Sequence, residues 1–205
     1  MSIWDNLTSL HLDVLKEIGN IGAGNAATAL AEIVSRKINM SVPRAGVMSI
    51  EDFFKLAGGE EDRVACINLM VNGDAPGQIL YIFAEESAYD LLDMLYGNPS
   101  HTKKDLNEMD MSALGEIGNI LTGSFLTAFS QFTGLSFIPS VPGVVFDMLA
   151  SAATAALLEA GYLDDKVLLI ETNFFDDKTE LTSYLFFLPH SGSLEKILAA
   201  LGITL

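Results

Sequence analysis

From Asp5 to Ser35 the apolar and small positions Leu15, Ile18, Gly22, Ala26 and Ala29 recur at steps of three and four, which predicts one long amphipathic helix. An extended segment follows, Ile38–Val47 with Pro43 inside it. Ser49, with Asp52 three residues on, opens a short helix over Ile50–Ala57. Two β-rich runs, Val64–Val71 and Gln78–Ala84, flank Asn72-Gly73-Asp74, whose residues tolerate positive φ and mark a hairpin. A helix over Ser87–Tyr96 then stops at Gly97, a residue suited to a left-handed cap.

The second half repeats that order. Leu106–Thr133 reads as a long helix, with Asp105 and Glu108 spaced as a capping box at its start. Ser136–Val145 is extended and Asp147–Ala160 is helical. Val167–Phe174 and Leu181–Leu188 form a hairpin around Asp176-Asp177-Lys178, and a last helix, Ser193–Leu201, ends at Gly202. Asn98–Asp105, with a proline and two lysines, reads as the connector. Each half is therefore α-β-α-β-β-α. A three-stranded half is marginal alone. The expected fold is an α/β domain over residues 1–205, in which repeats 5–97 and 105–205 form one six-stranded sheet with pseudo-two-fold symmetry, flanked by helices.

Within the two long helices the octet Glu-Ile-Gly-Asn-Ile-x-x-Gly occurs twice, at Glu17–Gly24 and Glu116–Gly123. Asp13 and Ser112 stand four residues before each Glu, and Pro43 and Pro142 follow each Asn at one common distance. At about 100° per residue, Asp13, Glu17, Asn20 and Gly24 fall opposite Ile18, Gly22, Ala26 and Ala29. Likewise Ser112, Glu116, Asn119 and Gly123 fall opposite Leu114, Ile117, Leu121, Phe125 and Ala128. Each helix should turn one face to a core and offer an acid, an amide and a glycine on the other. A glycine inside a helix costs about 1 kcal/mol against alanine. Gly19 and Gly22, toward the buried side, suit close packing. Gly24 and Gly123, one turn beyond each Asn, leave a clearing for another surface. One isolated Glu/Asn pair is ordinary solvated surface, whereas two copies with matching flanks point to a site that duplicated with the chain.

Composition narrows the possible partners. Eleven basic against 27 acidic residues give a formal charge of −16, which repels phosphate backbones and anionic lipid and favours a partner bearing lysine or arginine. The single Cys66, in an apolar strand-like run, fits a reducing compartment. The start, Met-Ser-Ile-Trp-Asp, is no signal peptide. The longest apolar stretch, Gly143–Leu163, contains Asp147 and Glu159 and is no membrane span. The expectation is a cytoplasmic protein with no nucleic-acid partner and no membrane insertion.

The chemistry available to the repeated pair is sparse. An Asn amide can both donate to and accept from a water, holding it along a line of attack, but is neither nucleophile nor useful base. A carboxylate three residues away lies beside it on a helix and can act as a base or pair with a partner's lysine. The set suits a reaction whose electrophile, metal and charge stabilisers come from elsewhere. Phosphoryl hydrolysis, governed by positioning and electrostatics, fits. Other motifs carry less. Gly22-Ala23-Gly24-Asn25-Ala26-Ala27 matches a dinucleotide fingerprint but lies inside a helical pattern rather than between strand and helix. His11, His101, His190 and Cys66 show no metal-ligand spacing. Ser191-Gly192-Ser193 lacks a hydrolase elbow and suits a cap for the last helix; Glu60-Glu61-Asp62 and Asp176-Asp177 read as solvated loops.

The order Asp/Ser-x3-Glu-x2-Asn-x22-Pro, met by Asp13-Glu17-Asn20-Pro43 and by Ser112-Glu116-Asn119-Pro142, resembles the signature of the CheC-type bacterial chemotaxis phosphatases, the CheC/CheX/FliY family. The resemblance covers nearly the whole chain and has no departure at the signature positions. Two copies without an additional flagellar-switch domain are more similar to the CheC branch than to single-copy CheX or to FliY. The resemblance implies dephosphorylation of CheY, a response regulator phosphorylated on an aspartate. In it Asn20 and Asn119 orient the attacking water and Glu17 and Glu116 pair with the regulator's active-site lysine, with Asp13, Gly24, Ser112 and Gly123 flanking them. It implies that the regulator supplies Mg²⁺ and that this chain holds no metal or cofactor of its own.

It also implies a second partner, the receptor deamidase CheD. The helix near Asp147–Ala160 is a candidate docking surface through Asp147, Ala152 and Ala155, although packing of the small residues Ser151–Ala156 on the sheet is equally compatible. The rival reading is a non-catalytic adaptor that sequesters phosphorylated CheY or CheD, and simple sequestration needs no amide in both copies. A flagellar-switch component would need a surface that the sequence does not identify.

Overall fold

In the computed structural model, which describes residues 3–35, 37–97, 106–159, 161, 165–176 and 180–203, two hairpins lie side by side. One pairs β2 (Arg63–Gly73) with β3 (Gly77–Ala84), the other β6 (Lys166–Phe175) with β7 (Glu180–Pro189). β3 pairs with β7, so the halves meet in the middle of one antiparallel sheet. β1 (Asn39–Ser49) pairs with β6 at one edge, while β4 (Phe137–Pro139) and β5 (Gly143–Met148) both pair with β2 at the other. Each half therefore gives its edge strand to the other half's hairpin. The order β1-β6-β7-β3-β2-β4 reads the same from either end when the halves are exchanged, as the expected pseudo-symmetry requires. The expected six positions are present, but the sixth is broken into two strands around Ser140–Pro142. The strand-pair tip at Asp177-Lys178 and the connector Asn98–Asp105 lie outside the described residues.

Alternation along the strands feeds two cores. Ile67, Leu69, Tyr81, Phe83, Ile170 and Leu185 face the larger one, with α2 (Ser9–Val34), α4 (Glu85–Tyr96), α5 (Glu108–Thr133) and α7 (Ser193–Ala200). The short α1 (Ile3–Asn6) adds Trp4 to it. Cys66, Leu80, Ile82, Leu169 and Phe186 face the smaller core, under α3 (Ile50–Leu56) and α6 (Leu149–Glu159). Among the described residues no helix is long and apolar enough to cross a membrane.

Local chemistry sets the element ends. Ser49 Oγ accepts from Asp52 N–H at 3.0 Å and opens α3 as expected. Gly97 caps α4 in the left-handed region at φ 70°. The start of α5 departs from expectation, because the reciprocal pair is Asn107 with Asp110 rather than Asp105 with Glu108. Asn107 Oδ1 accepts from Met109 and Asp110 N–H at 2.8 and 3.1 Å, and Asp110 Oδ2 accepts from Asn107 N–H at 3.0 Å. Asp110 is buried, and its other oxygen accepts from the Tyr96 hydroxyl at 3.2 Å; this docking onto α4 sets the frame. Asp147 also differs, lying within β5 rather than opening α6. The first amides of α6 are met instead by the acidic loop, Leu149 N–H donating to Asp62 O and Ala150 N–H to Glu60 O, at 2.9 and 3.0 Å. That loop is a cap and not merely solvated surface. Ser193 does not cap α7 with its side chain; its hydroxyl donates to Pro76 O at 2.6 Å and ties α7 to the turn after β2.

α2 and α5 cross on the larger core. A Cβ at Gly22 would lie 2.9 Å from Phe125 Cδ1 and 3.0 Å from Phe125 Cα, so this glycine is required by contact with another backbone. The matching positions are complementary in size. Gly22 and Ala26 on α2 correspond to Leu121 and Phe125 on α5, all four buried, so volume missing from one helix is filled by the other. Gly22→Ala should therefore destabilise the protein by about 1–3 kcal/mol, lowering Tm by about 2–4 °C per kcal/mol in a chain of this size. Thermal unfolding measures this, and an unchanged Tm would show that the crossing relaxes freely.

Candidate functional site

The helix arithmetic holds at both octets. Asp13, Glu17 and Gly24 of α2 are exposed and Asn20 is half-buried; Ser112, Glu116 and Asn119 of α5 are exposed and Gly123 is half-buried. Their partners on the opposite arcs, among them Ile18, Ala26, Ile117 and Phe125, lie in the core. A Cβ placed on Gly24 or on Gly123 would meet nothing within 4 Å. Neither glycine is explained by packing, in contrast to Gly22 and to Gly118, whose Cβ would come within 2.5 Å of Ile67 Cγ2. Both copies thus keep an open, helix-weakening residue one turn beyond the Asn.

Two features went unread in the sequence. Thr28 Oγ1 donates to Gly24 O at 3.0 Å and Thr127 Oγ1 to Gly123 O at 2.7 Å, so each glycine carbonyl is held by a threonine four residues on. Superposing the two repeats would have revealed that pair. Beyond each glycine a shallow groove runs between the helix and the edge strand. The first, about 570 Å³, is lined by Gly24, Thr28, Glu32, Lys37 and Asn39. The second, about 390 Å³, is lined by Gly123, Thr127, Gln131, Phe137 and Pro139. The grooves occupy equivalent places, but the first is lined by the charged Glu32 and Lys37 and the second by no charged side chain.

The edge strands treat the two amides differently. Asn20 Oδ1 accepts from the Val42 backbone N–H at 2.9 Å, just where the β1–β6 register shifts between Ser41 and Arg44. Its counterpart Asn119 has no side-chain hydrogen bond among the described residues. There Ser140 bonds β2 with its backbone and side chain: Ser140 N–H donates to Met70 O at 2.8 Å, and Ser140 Oγ accepts from Met70 N–H at 3.0 Å. Val141, in the place of Val42, is 87% exposed, whereas Val42 is 2% exposed.

Other nucleophiles and donors are poorly placed. Burial pushes the Cys66 thiol up to about 12, so it stays protonated and inert near neutral pH. His11 is buried, and its Nδ1 accepts from Thr8 N–H at 2.9 Å at the start of α2. Among the described residues no group of three or more His, Cys, Asp and Glu side chains is placed to hold a metal ion. On α6 and its approach, Asp147 and Ala155 are exposed but Ala152 is buried against the sheet with Ala153 and Ala156. Ala152 is therefore unavailable to a partner, because the inner side of the small-residue stretch packs on the smaller core.

A duplicated α/β unit that presents Glu, Asn and an open glycine from a long helix beside an edge strand defines the class of this protein. The fold is shared with the crystal structure of Thermotoga maritima FliY, with a TM-score of 0.79, 20% identity, and 96% of this chain and 98% of that one covered. The FliM middle domain from H. pylori also has it, at a TM-score of 0.72 and 10% identity, covering 95% and 99% of the two chains. The CheC-like family model matches residues 10–47 and 109–146, each match running from before the Glu to beyond the proline. The chain is 39% identical over 209 residues to the Bacillus subtilis (strain 168) CheY-P phosphatase CheC, with all of both chains covered. It belongs to the CheC-like family.

Because both clearings are open, Gly24→Ala and Gly123→Ala should each stabilise the fold by up to about 1 kcal/mol through helix propensity alone. Denaturant unfolding measures this, and destabilisation by either change would mean that the glycine serves packing after all.

Proposed function

We propose that this chain hydrolyses the aspartyl phosphate of the chemotaxis response regulator CheY. The observation that carries the reading is the repeated Glu/Asn pair on the outer arc of each long helix, each beside a glycine at which nothing fills the space. The full-length relative from B. subtilis, named as a CheY-P phosphatase, supports it. The regulator brings the acyl phosphate and its Mg²⁺. The helix of either repeat docks with its Glu/Asn face against that site, and the clearing lets the two backbones come close. The Asn amide accepts a hydrogen bond from the attacking water and directs its lone pair at phosphorus. The neighbouring Glu17 or Glu116 carboxylate pairs with the regulator's lysine and fixes the register of the complex. The acidic charge of this chain favours that contact.

An adaptor that only sequesters phosphorylated CheY would act near equal amounts. A phosphatase shortens the lifetime of the phosphorylated form when substoichiometric. Replacing both amides, Asn20→Ala with Asn119→Ala, should lower the accelerated rate by about 10²–10³, the size expected for loss of one oriented polar group at a reacting centre. Undiminished turnover in that double variant would falsify the mechanism. With both amides intact, Gly24→Ala and Gly123→Ala should lower turnover while raising stability, an opposition that a packing residue does not give.

The reading extends to CheD, docking on the outer side of α6 near Asp147 and Ala155. Ala155 is exposed, so Ala155→Arg should leave the fold intact and abolish co-purification with CheD. Full retention of CheD by that variant would remove α6 from the interface.

A further inference from the structure

The bond from Val42 N–H to Asn20 Oδ1 has a chemical consequence that the octet by itself does not contain. A backbone N–H can be met only by the oxygen of an amide, never by its NH₂. At 2.9 Å the contact therefore fixes which way the Asn20 amide is turned: oxygen toward β1, nitrogen away from it. One lone pair of Oδ1 is committed and the other remains for a water. The strand offers this donor because of the residue that follows. Pro43 holds Val42 in the extended region and has no N–H of its own, and neither residue has a ladder partner on β6. The Val42 amide is thus released from the sheet and turned to the helix, while its side chain is buried 3.6 Å from the Cβ position of Gly19.

At the second site the same Asn-to-Pro spacing has a different outcome. Ser140 takes both backbone groups of Met70, the chain turns outward, and Val141 stands in solvent. Asn119 keeps its rotational freedom.

We propose that Val42 is a positioning residue of the first site alone: its backbone N–H, set by Pro43, clamps the Asn20 amide in one orientation, so that the first site is preorganised and the second orders its amide only when the regulator docks. This rests on the phosphatase reading above. It makes the invariant spacing within the repeat a device for placing a donor opposite the amide in the first copy only.

The test isolates each site by removing the other amide. In Asn119→Ala, where only the first site works, Val42→Pro deletes the donor without disturbing any β6 pairing. It should lower kcat by about threefold to tenfold, the range of one hydrogen bond's net worth, with KM little changed. Val42→Ala keeps the donor but loses packing, so its kcat should stay well above that of Val42→Pro even where both lose stability. In Asn20→Ala, where only the second site works, Val141→Pro should leave kcat unchanged. A direct readout needs no turnover: exchange of the Val42 amide hydrogen should speed up several-fold in Asn20→Ala relative to the parent. Equal kcat for Val42→Pro and Val42→Ala, a rise in KM with kcat kept, or Val42 exchange indifferent to Asn20 would each overturn the clamp. Full activity in Asn20→Ala with Asn119→Ala would instead overturn the assignment of the sites, leaving the exchange result to decide the bond.

Discussion

Where α2 crosses α5, Gly22 has no side chain, and the ring and backbone of Phe125 take up that space. This contact sets the rotation of each helix about its axis. Once Ile18, Ala26, Ile117 and Phe125 are turned inward, the opposite arcs that carry Glu17 and Asn20, or Glu116 and Asn119, are turned away from the core. The crossing also explains why the repeat is imperfect. Gly22 meets Phe125, the counterpart of Ala26, so the small pair on both helices would leave voids and the large pair on both would clash. The small pair on α2 and the large pair on α5 resolve both.

The second organising feature is the exchange of edge strands. β1 belongs to the first half in sequence but is held by β6 of the second, and β4 and β5 are held by β2 of the first. Each Glu/Asn copy therefore lies on a helix of one half beside a strand anchored by the other. The residues of each site come from one repeat, but the strand beside them is held in place by the other. The edges are also where the two copies diverge, because an edge strand has one free side and tolerates a break or a bulge that a central strand does not. β1 runs through with a bulge and engages Asn20, whereas its counterpart breaks at Ser140–Pro142 and leaves Asn119 alone.

Much of this was legible along the chain. The two long helices, both hairpins, the inward and outward arcs at the octets and the capping roles of Ser49 and Gly97 follow from periodicity and local turn chemistry, which act over a few residues. The failures share one cause. Asp105–Glu108 and Asn107–Asp110 have equal spacing, and the burial of Asp110 under Tyr96 chose between them. Ser193 had the pattern of a cap, but Pro76 O, distant in sequence, took its hydroxyl. Glu60-Glu61-Asp62 had the composition of a solvated loop, yet its carbonyls meet the open end of α6. In the stretch of small residues on α6, Ala152 and Ala155 are indistinguishable by composition, and only the sheet decides which is buried.

Sequence alone established the duplication, the order of elements and the repeated Glu, Asn and Gly on one arc of each helix, since a helical period needs no knowledge of what lies across the core. Tertiary structure alone decided that Gly22 is filled by Phe125 while Gly24 and Gly123 stand open, and that one amide is held where the other is free. Those outcomes depend on partners far away in the chain, at Phe125, Val42 and Ser140. Packing and backbone hydrogen bonds select such partners only when the two halves close around one sheet.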